Sequence, residues 1–199
     1  QAIADSLVKT GQFANPFRYE TGPTTHLAPA FPLWLAGLMT AFGDDSAYET
    51  AKQLLSALAA SLHYALLPAL AVVMGMPRRA GILAGFLSIF LFVVLPGNIR
   101  PLETQGSWEN TYAALGIVVL SILTAATFRE RHFTWRRAAL WGLCWGAFLL
   151  LTPVMAAVYF AWLAVGLACC GRGERLRYAG FAALSTACLM AVLAPWTIR

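Results

Sequence analysis

The apolar positions of this chain fall in long unbroken runs. They show neither the alternation of a half-buried strand nor the single stripe of a helix on a water-soluble core. A helix that crosses a bilayer needs about 20 mostly apolar residues. Charge-free stretches of that kind cover 53–77, 80–99, 110–128, 138–171 and 178–198. Pro68 predicts a kink in the first, Pro96-Gly97 stops the second, and Pro195 lies near the end of the last. The stretch 138–171 is 34 residues long. As one helix it would run about 51 Å at 1.5 Å per residue, far beyond a hydrocarbon core of about 30 Å. Thr152-Pro153 sits in its middle, where proline breaks or kinks a helix. The pattern therefore predicts two short spans, 138–151 and 153–170.

Pro29 to Gly43 is a different case. Phe31 to Phe42 is apolar but short for a span, and it reads as a re-entrant or interfacial helix with Pro32 in its first turn. A true span with a different topology upstream stays open as the other reading.

Composition sharpens the class. Of 199 residues, 59% are hydrophobic and 12% charged, with a mean hydropathy of +0.66; an average soluble domain carries roughly a quarter charged residues. This excludes an ordinary water-soluble domain, and the wealth of aliphatic and aromatic residues excludes a disordered chain. Cys144, Cys169, Cys170 and Cys188 lie in apolar runs without C-x-x-C spacing, so neither a disulfide scaffold nor a zinc site is indicated. The expected fold class is all-α: a polytopic helical membrane protein.

The net charge is +5, but no Lys/Arg block interleaved with aromatics points to nucleic acid. The basic residues instead form small clusters between apolar runs: Arg78 and Arg79; Arg129, Arg131, Arg136 and Arg137; Arg172, Arg175 and Arg177. Such clusters mark cytoplasmic loops. With them inside, the parity works only if 138–170 crosses twice. The result is six crossings, with 1–49, 97–110 and 195–199 outside. Asp5, Glu20, Asp44, Asp45, Glu49, Glu103 and Glu109 fall on that outer side, although acidic residues contribute little to orientation. The chain divides into an outer loop with interfacial helices, 1–49, and a transmembrane bundle, 50–199. It opens on Gln1 without a signal peptide and stops at Arg199 directly after an apolar run, so both ends read as cut from a longer protein.

Soluble-enzyme signatures are missing: no P-loop, no G-x-S-x-G and no H-E-x-x-H. A polar set remains at one membrane face: Tyr19, Glu20, His26, Arg100, Glu103, Trp108, Glu109, Trp196 and Arg199. These types suit an anionic, sugar-bearing ligand. Arginine binds phosphate bidentately, and a carboxylate takes a hydroxyl proton or holds a divalent ion. Tryptophans at headgroup level are also expected in any membrane protein, so plain interface anchoring stands beside that reading. His63, mid-span, is either a functional ionisable group or a neutral histidine bonded to a neighbouring helix. Lys52 is expected to snorkel to the outer interface.

Several segments resemble the family 39-like GT-C glycosyltransferases, which use polyprenyl-phosphate sugars and include protein mannosyltransferases and lipid A aminoarabinose transferases. Thr24-Thr25-His26-Leu27-Ala28-Pro29-Ala30-Phe31-Pro32-Leu33 resembles their T-A-H-x-x-P-x-Y-P-L segment, with Phe31 in place of the tyrosine. Phe42-Gly43 closes the short apolar helix in the same order. Ala51 to Leu58 is similar to A-R-L-L-S-A-L, and Trp108-Glu109 to the (W/S)-E that opens a later span. Gly142 to Pro153 is similar to G-L-x-x-G-L-x-x-L-T-x-P, and Pro195-Trp196-Thr197-Ile198-Arg199 to a terminal P-W-x-x-R-N. Thr152-Pro153 lacks the polar residue that the family often places between them.

The resemblance implies inverting transfer of a sugar from a lipid phosphate to a lipid, glycan or protein acceptor. The reaction would occur at the outer face of a bacterial inner membrane, with no cofactor beyond a divalent ion. It places the family's catalytic aspartate upstream of Gln1 and leaves Glu20 as the candidate base within this chain; Ile3, Leu7 and Val8 themselves suggest an amphipathic surface helix with Asp5 on or near its polar side. Arg199 and Arg100 would hold the phosphate, with His26, Glu109 and Trp196 lining the pocket. The competing readings are a flippase or transporter of lipid-linked sugars, which would place paired charges mid-membrane and show repeats, and a non-catalytic membrane scaffold.

Overall fold

A computed structural model describes residues 1–16, 21–24, 28–43, 46–94, 109–130 and 133–197. Among them 83% are helical and no strand occurs. The helices are α1 (Ala2–Thr10), α2 (Ala30–Phe42), α3 (Ser46–Val73), α4 (Arg78–Val94), α5 (Asn110–Glu130), α6 (Trp135–Leu149), α7 (Ala156–Cys169) and α8 (Arg175–Thr197), with a 3-10 turn at Pro153–Met155 between α6 and α7. Three of these, α3, α5 and α8, are long and apolar enough to cross a membrane, and α2 and Pro153–Cys169 are shorter apolar helices.

The helix ends follow local chemistry. Gly75, at φ 79°, closes α3: the Met76 N–H reaches the Ala71 carbonyl at 2.8 Å and the Gly75 N–H the Val72 carbonyl at 3.1 Å, the paired bonds of a glycine-terminated helix. The Thr134 hydroxyl caps α6, accepting from the Arg137 N–H at 3.4 Å. Arg137 also donates to Glu130 at 2.5 Å, tying the end of α5 to the start of α6. The break expected at Thr152-Pro153 is present. Thr152 is extended (φ −143°, ψ 85°), because a following proline disfavours the helical region.

Two expectations about the first segments need correction. The helix expected over 53–77 starts at Ser46 and ends at Val73. Lys52 does not snorkel into the open. It is buried and folds back one turn onto Glu49, with Nζ 2.9 Å and 2.7 Å from the two carboxylate oxygens. The pair neutralises a cation that burial would otherwise penalise, so a turn that reads as loop joins the helix. In α1, Ile3 is buried as expected and Asp5 is half-buried, but Val8 faces outward and Ser6 is buried.

Within the pairs α3–α4, α5–α6 and α7–α8 the helices run antiparallel. Leu67 and Pro68 of α3 meet Gly81 of α4, and Tyr64 meets Gly85. Phe148 of α6 covers Gly116 of α5, and the Trp141 indole N–H donates to Thr124 at 2.7 Å. Tyr159 of α7 bonds Ser185 and Thr186 of α8 at 3.2 and 2.9 Å, and the Tyr178 hydroxyl donates to the Leu163 carbonyl at 2.7 Å. Tyr48 of α3 and Tyr112 of α5 belong to one apolar cluster, and Gly116 meets Phe148 as Gly146 meets Val192, so the starts of α3 and α5 and the ends of α6 and α8 share one end of the bundle.

The closest contact is between α6 and α8. A Cβ added at Gly142 would fall on the Ser185 carbonyl, and one at Gly146 would crowd Val192 and Leu189. This is the small-xxx-small contact by which helices approach closely in lipid. The distribution of polarity agrees: Ser56, Thr124 and Ser185 are fully buried, while Leu83, Phe86, Phe90 and Leu140 are each at least 60% exposed. Water-soluble monomers rarely expose apolar surface on that scale. A hydrogen-bonded interior inside an apolar exterior is the make-up of a helical membrane protein.

Candidate functional site

The bundle end that gathers the starts of α3 and α5 and the ends of α6 and α8 is covered by α1 and α2. Thirteen residues make α2, about 20 Å at 1.5 Å per residue, too short for the hydrocarbon core. At its start the Ala30 N–H donates to the Leu150 carbonyl at 3.0 Å. This satisfies one of the donors that a helix N-terminus leaves open and one carbonyl freed by the Pro153 break. The Phe31 and Trp34 rings lie 6.0 and 6.1 Å from Tyr112 in the first turn of α5. At its other end Gly43, at φ 79°, turns the chain back toward α3.

The segment after α1 forms a latch. Gly11, with φ 71°, ends the helix and returns its N–H to the Leu7 carbonyl at 2.9 Å. Asn15, also at positive φ (57°), accepts through Oδ1 from the Thr21 and Gly22 N–H groups at 3.0 and 3.1 Å. The Thr24 N–H bonds the Phe13 carbonyl at 3.1 Å. So held, Phe13 is buried and stands edge-on to Trp196, with ring centroids 4.8 Å apart.

Between these parts lies a cavity of 460 Å³. Leu7 of α1 and Gly11 at its end line one side, with Pro29 just before α2 and Leu33 in its first turns. Leu150, Val192, Pro195 and Trp196 close the far side. The cavity is mostly apolar, and Trp196 at its rim carries an indole that combines an apolar face with a donor.

A second group of atoms lies on the α3 and α5 side of α2. The hydroxyls of Tyr48 and Thr111, and that of Thr152 at the break, are buried without a hydrogen-bond partner, while the buried Tyr112 hydroxyl has the Trp34 side chain beside it. The Asp5 and Glu49 carboxylates lie within electrostatic reach of Tyr48. A buried hydroxyl left unpaired costs about 1–3 kcal/mol, so these groups are ready to bond a polar molecule that reaches them. Glu109 precedes α5, with its side chain exposed and its carbonyl accepting from the Ala113 N–H at 2.9 Å.

Of the residues singled out in the sequence, Trp196 lines the cavity and Glu109 sits at the head of α5. Tyr19, Glu20, His26, Arg100, Glu103, Trp108 and Arg199 lie outside the described residues. His63 is half-buried, its ring 5.0 Å from that of Tyr64 on the same helix. Among the described residues no group of three or more His, Cys, Asp or Glu is placed to hold a metal ion. The sequence reading missed Tyr48, Thr111, Tyr112 and Phe13. Thr111-Tyr112, directly after Glu109, did carry a signal: polar residues in the first turn of an otherwise apolar span.

The chain matches no family model, no curated protein and no solved structure.

Proposed function

We propose that this chain is part of a membrane glycosyltransferase that moves a sugar from a polyprenyl-phosphate donor to an acceptor at the outer face of the membrane. One observation carries the reading. Residues of three segments that resemble the GT-C motifs, Pro29-Ala30, Leu150 and Pro195-Trp196, are far apart in sequence and meet around one cavity. In this reading the cavity seats the first part of the donor's lipid chain, and Arg199, with Arg100, holds its phosphate. His26, Glu109 and the buried hydroxyls beside α2 face the sugar and the acceptor. The acceptor oxygen attacks the anomeric carbon, its proton passes to a carboxylate, and the bond from that carbon to the phosphate oxygen breaks. The lipid phosphate leaves with the bonding electrons, and the arginines stabilise its charge.

Enlarging Leu33 tests the cavity. Leu33 is half exposed and lines it, so a Leu33→Trp variant fills space without entering the bundle core. In the full-length protein, reconstituted with polyprenyl-phosphate sugars, it should raise KM for the donor about tenfold and leave kcat nearly unchanged, the signature of lost ground-state binding. An unchanged KM would remove the donor from this cavity. Movement of lipid-linked sugar across the bilayer without any transfer would favour a flippase.

The reading also includes six crossings, with the covered end outside and the arginine clusters in the cytoplasm of a bacterial cell. In a cysteine-free background, Asn110→Cys should react with an impermeant maleimide in intact cells and Thr134→Cys should not. The reverse pattern would sink both the orientation and the choice of active face.

A further inference from the structure

A second cavity of 460 Å³ runs along the outer surface of the α3–α4 hairpin, away from the covered end. Its floor is made by small side chains, among them Ala57, Ala60 and Ser61 on α3 and Gly85 on α4; Tyr64 and Phe86 form walls. The hairpin closes tightly at its turn, where a Cβ on Gly81 would strike the backbone of Leu67 and Pro68. The groove opens from there. Along α3 it extends from Pro68 to Ala57, about 16 Å at 1.5 Å per residue. That is close to the half-thickness of a bilayer core of about 30 Å, the depth reached by one acyl chain of one leaflet.

The foot of the groove is charged. Ile82, Gly85, Phe86 and Ile89 line it, and Arg78 precedes them by 4, 7, 8 and 11 residues, so it shares their helical face. Arg78 and Arg79 are both exposed in the first turn of α4. An apolar channel one leaflet deep, with two guanidinium groups at its foot, matches a lipid whose chain is buried and whose phosphate lies at the interface.

The geometry points to a bound anionic phospholipid: one acyl chain occupies the α3–α4 groove, and its phosphate pairs with Arg78 and Arg79. This lipid belongs to the leaflet opposite the covered end, so it is separate from the sugar donor proposed above and does not depend on that reading.

Photo-crosslinking in nanodiscs tests the assignment. The intact chain is reconstituted with phosphatidylglycerol or phosphatidylcholine carrying a diazirine in one acyl chain, and adducts are mapped by mass spectrometry. Adducts should concentrate at Tyr64, Ile82 and Phe86, with phosphatidylglycerol favoured about fivefold for each arginine. Arg78→Gln with Arg79→Gln should abolish the preference while retaining the chain adducts. Ala57→Leu with Ser61→Leu, both at exposed positions, should fill the groove and remove the adducts, with the thermal melt confirming that the bundle is intact. Equal labelling by the two lipids, or adducts spread evenly over the apolar surface, would overturn the proposal. So would stronger displacement by a polyprenyl phosphate than by phosphatidylglycerol, or a protein segment found crosslinked in the groove.

Discussion

A Gly142→Val variant should lose at least about 1–3 kcal/mol of stability, the usual cost of forcing extra carbon into a packed contact. The expected value lies at or above the top of that range, because the colliding group is backbone. A Cβ at this position meets the Ser185 carbonyl and Cα, and neither can rotate away as a side-chain tip could. The helices must separate, and the separation strains the Tyr159 bonds to Ser185 and Thr186. Gly180→Ala on α8 is the matched control: Gly180 is exposed and a Cβ there meets nothing within 4 Å, so the variant should hold or slightly gain stability. Thermal or denaturant unfolding in detergent measures both. Equal melts for Gly142→Val and the parent would mean that α6 and α8 do not touch there.

The second large effect is expected at Glu109. Glu109→Gln in the full-length protein should lower sugar transfer roughly tenfold to a hundredfold, the range for losing a hydrogen bond to a charged group. Expression and melting should stay within about 1 kcal/mol of the parent. The two parts follow from the same placement. The side chain is exposed at the N-terminal end of α5, so its structural contribution is limited to the helix dipole, about 0.3–1 kcal/mol. Glutamine keeps the shape and removes the charge, so a loss of transfer with an intact melt assigns the effect to the carboxylate. Full activity would place Glu109 outside the reaction and leave Asp5 and Glu49 as the carboxylates near the buried hydroxyls beside α2.

What could be read from the sequence was what needs no knowledge of a partner. Proline breaks a helix wherever it stands, so the division at Thr152-Pro153 was visible, and Phe42-Gly43 marked the end of α2 for a similarly local reason. The start of α3 was hidden because Glu49 and Lys52 look like loop residues until they pair one turn apart. The facing of α5, α7 and α8 was hidden for another reason: their apolar residues run all the way round, so no stripe distinguishes the side that meets protein from the side that meets lipid. Gly142 and Gly146 stood out only as part of a resemblance. Their physical role appears once α8 is beside them. At the site, Trp196 was visible as a polar-tipped aromatic at a span end. Phe13 and Leu7 carry no chemical group that marks them, and they reach the cavity only through the latch held by Gly11 and Asn15.

The bond from Ala30 to Leu150 has a consequence for synthesis. The ribosome finishes α2 first, yet the carbonyl that receives its N–H is made 150 − 30 = 120 residues later, and Trp196 follows after that. At about 5–20 residues per second, the covering helix waits roughly 6–24 seconds for its seat. During that interval Phe31, Leu35 and Met39 can already pack on Ala4 of α1 and Tyr48 of α3, but the Ala30 N–H has no Leu150 carbonyl to meet. An early-made helix of this chain is therefore among the last to complete its contacts, and a delay in inserting α6 would leave the start of α2 unanchored for that much longer.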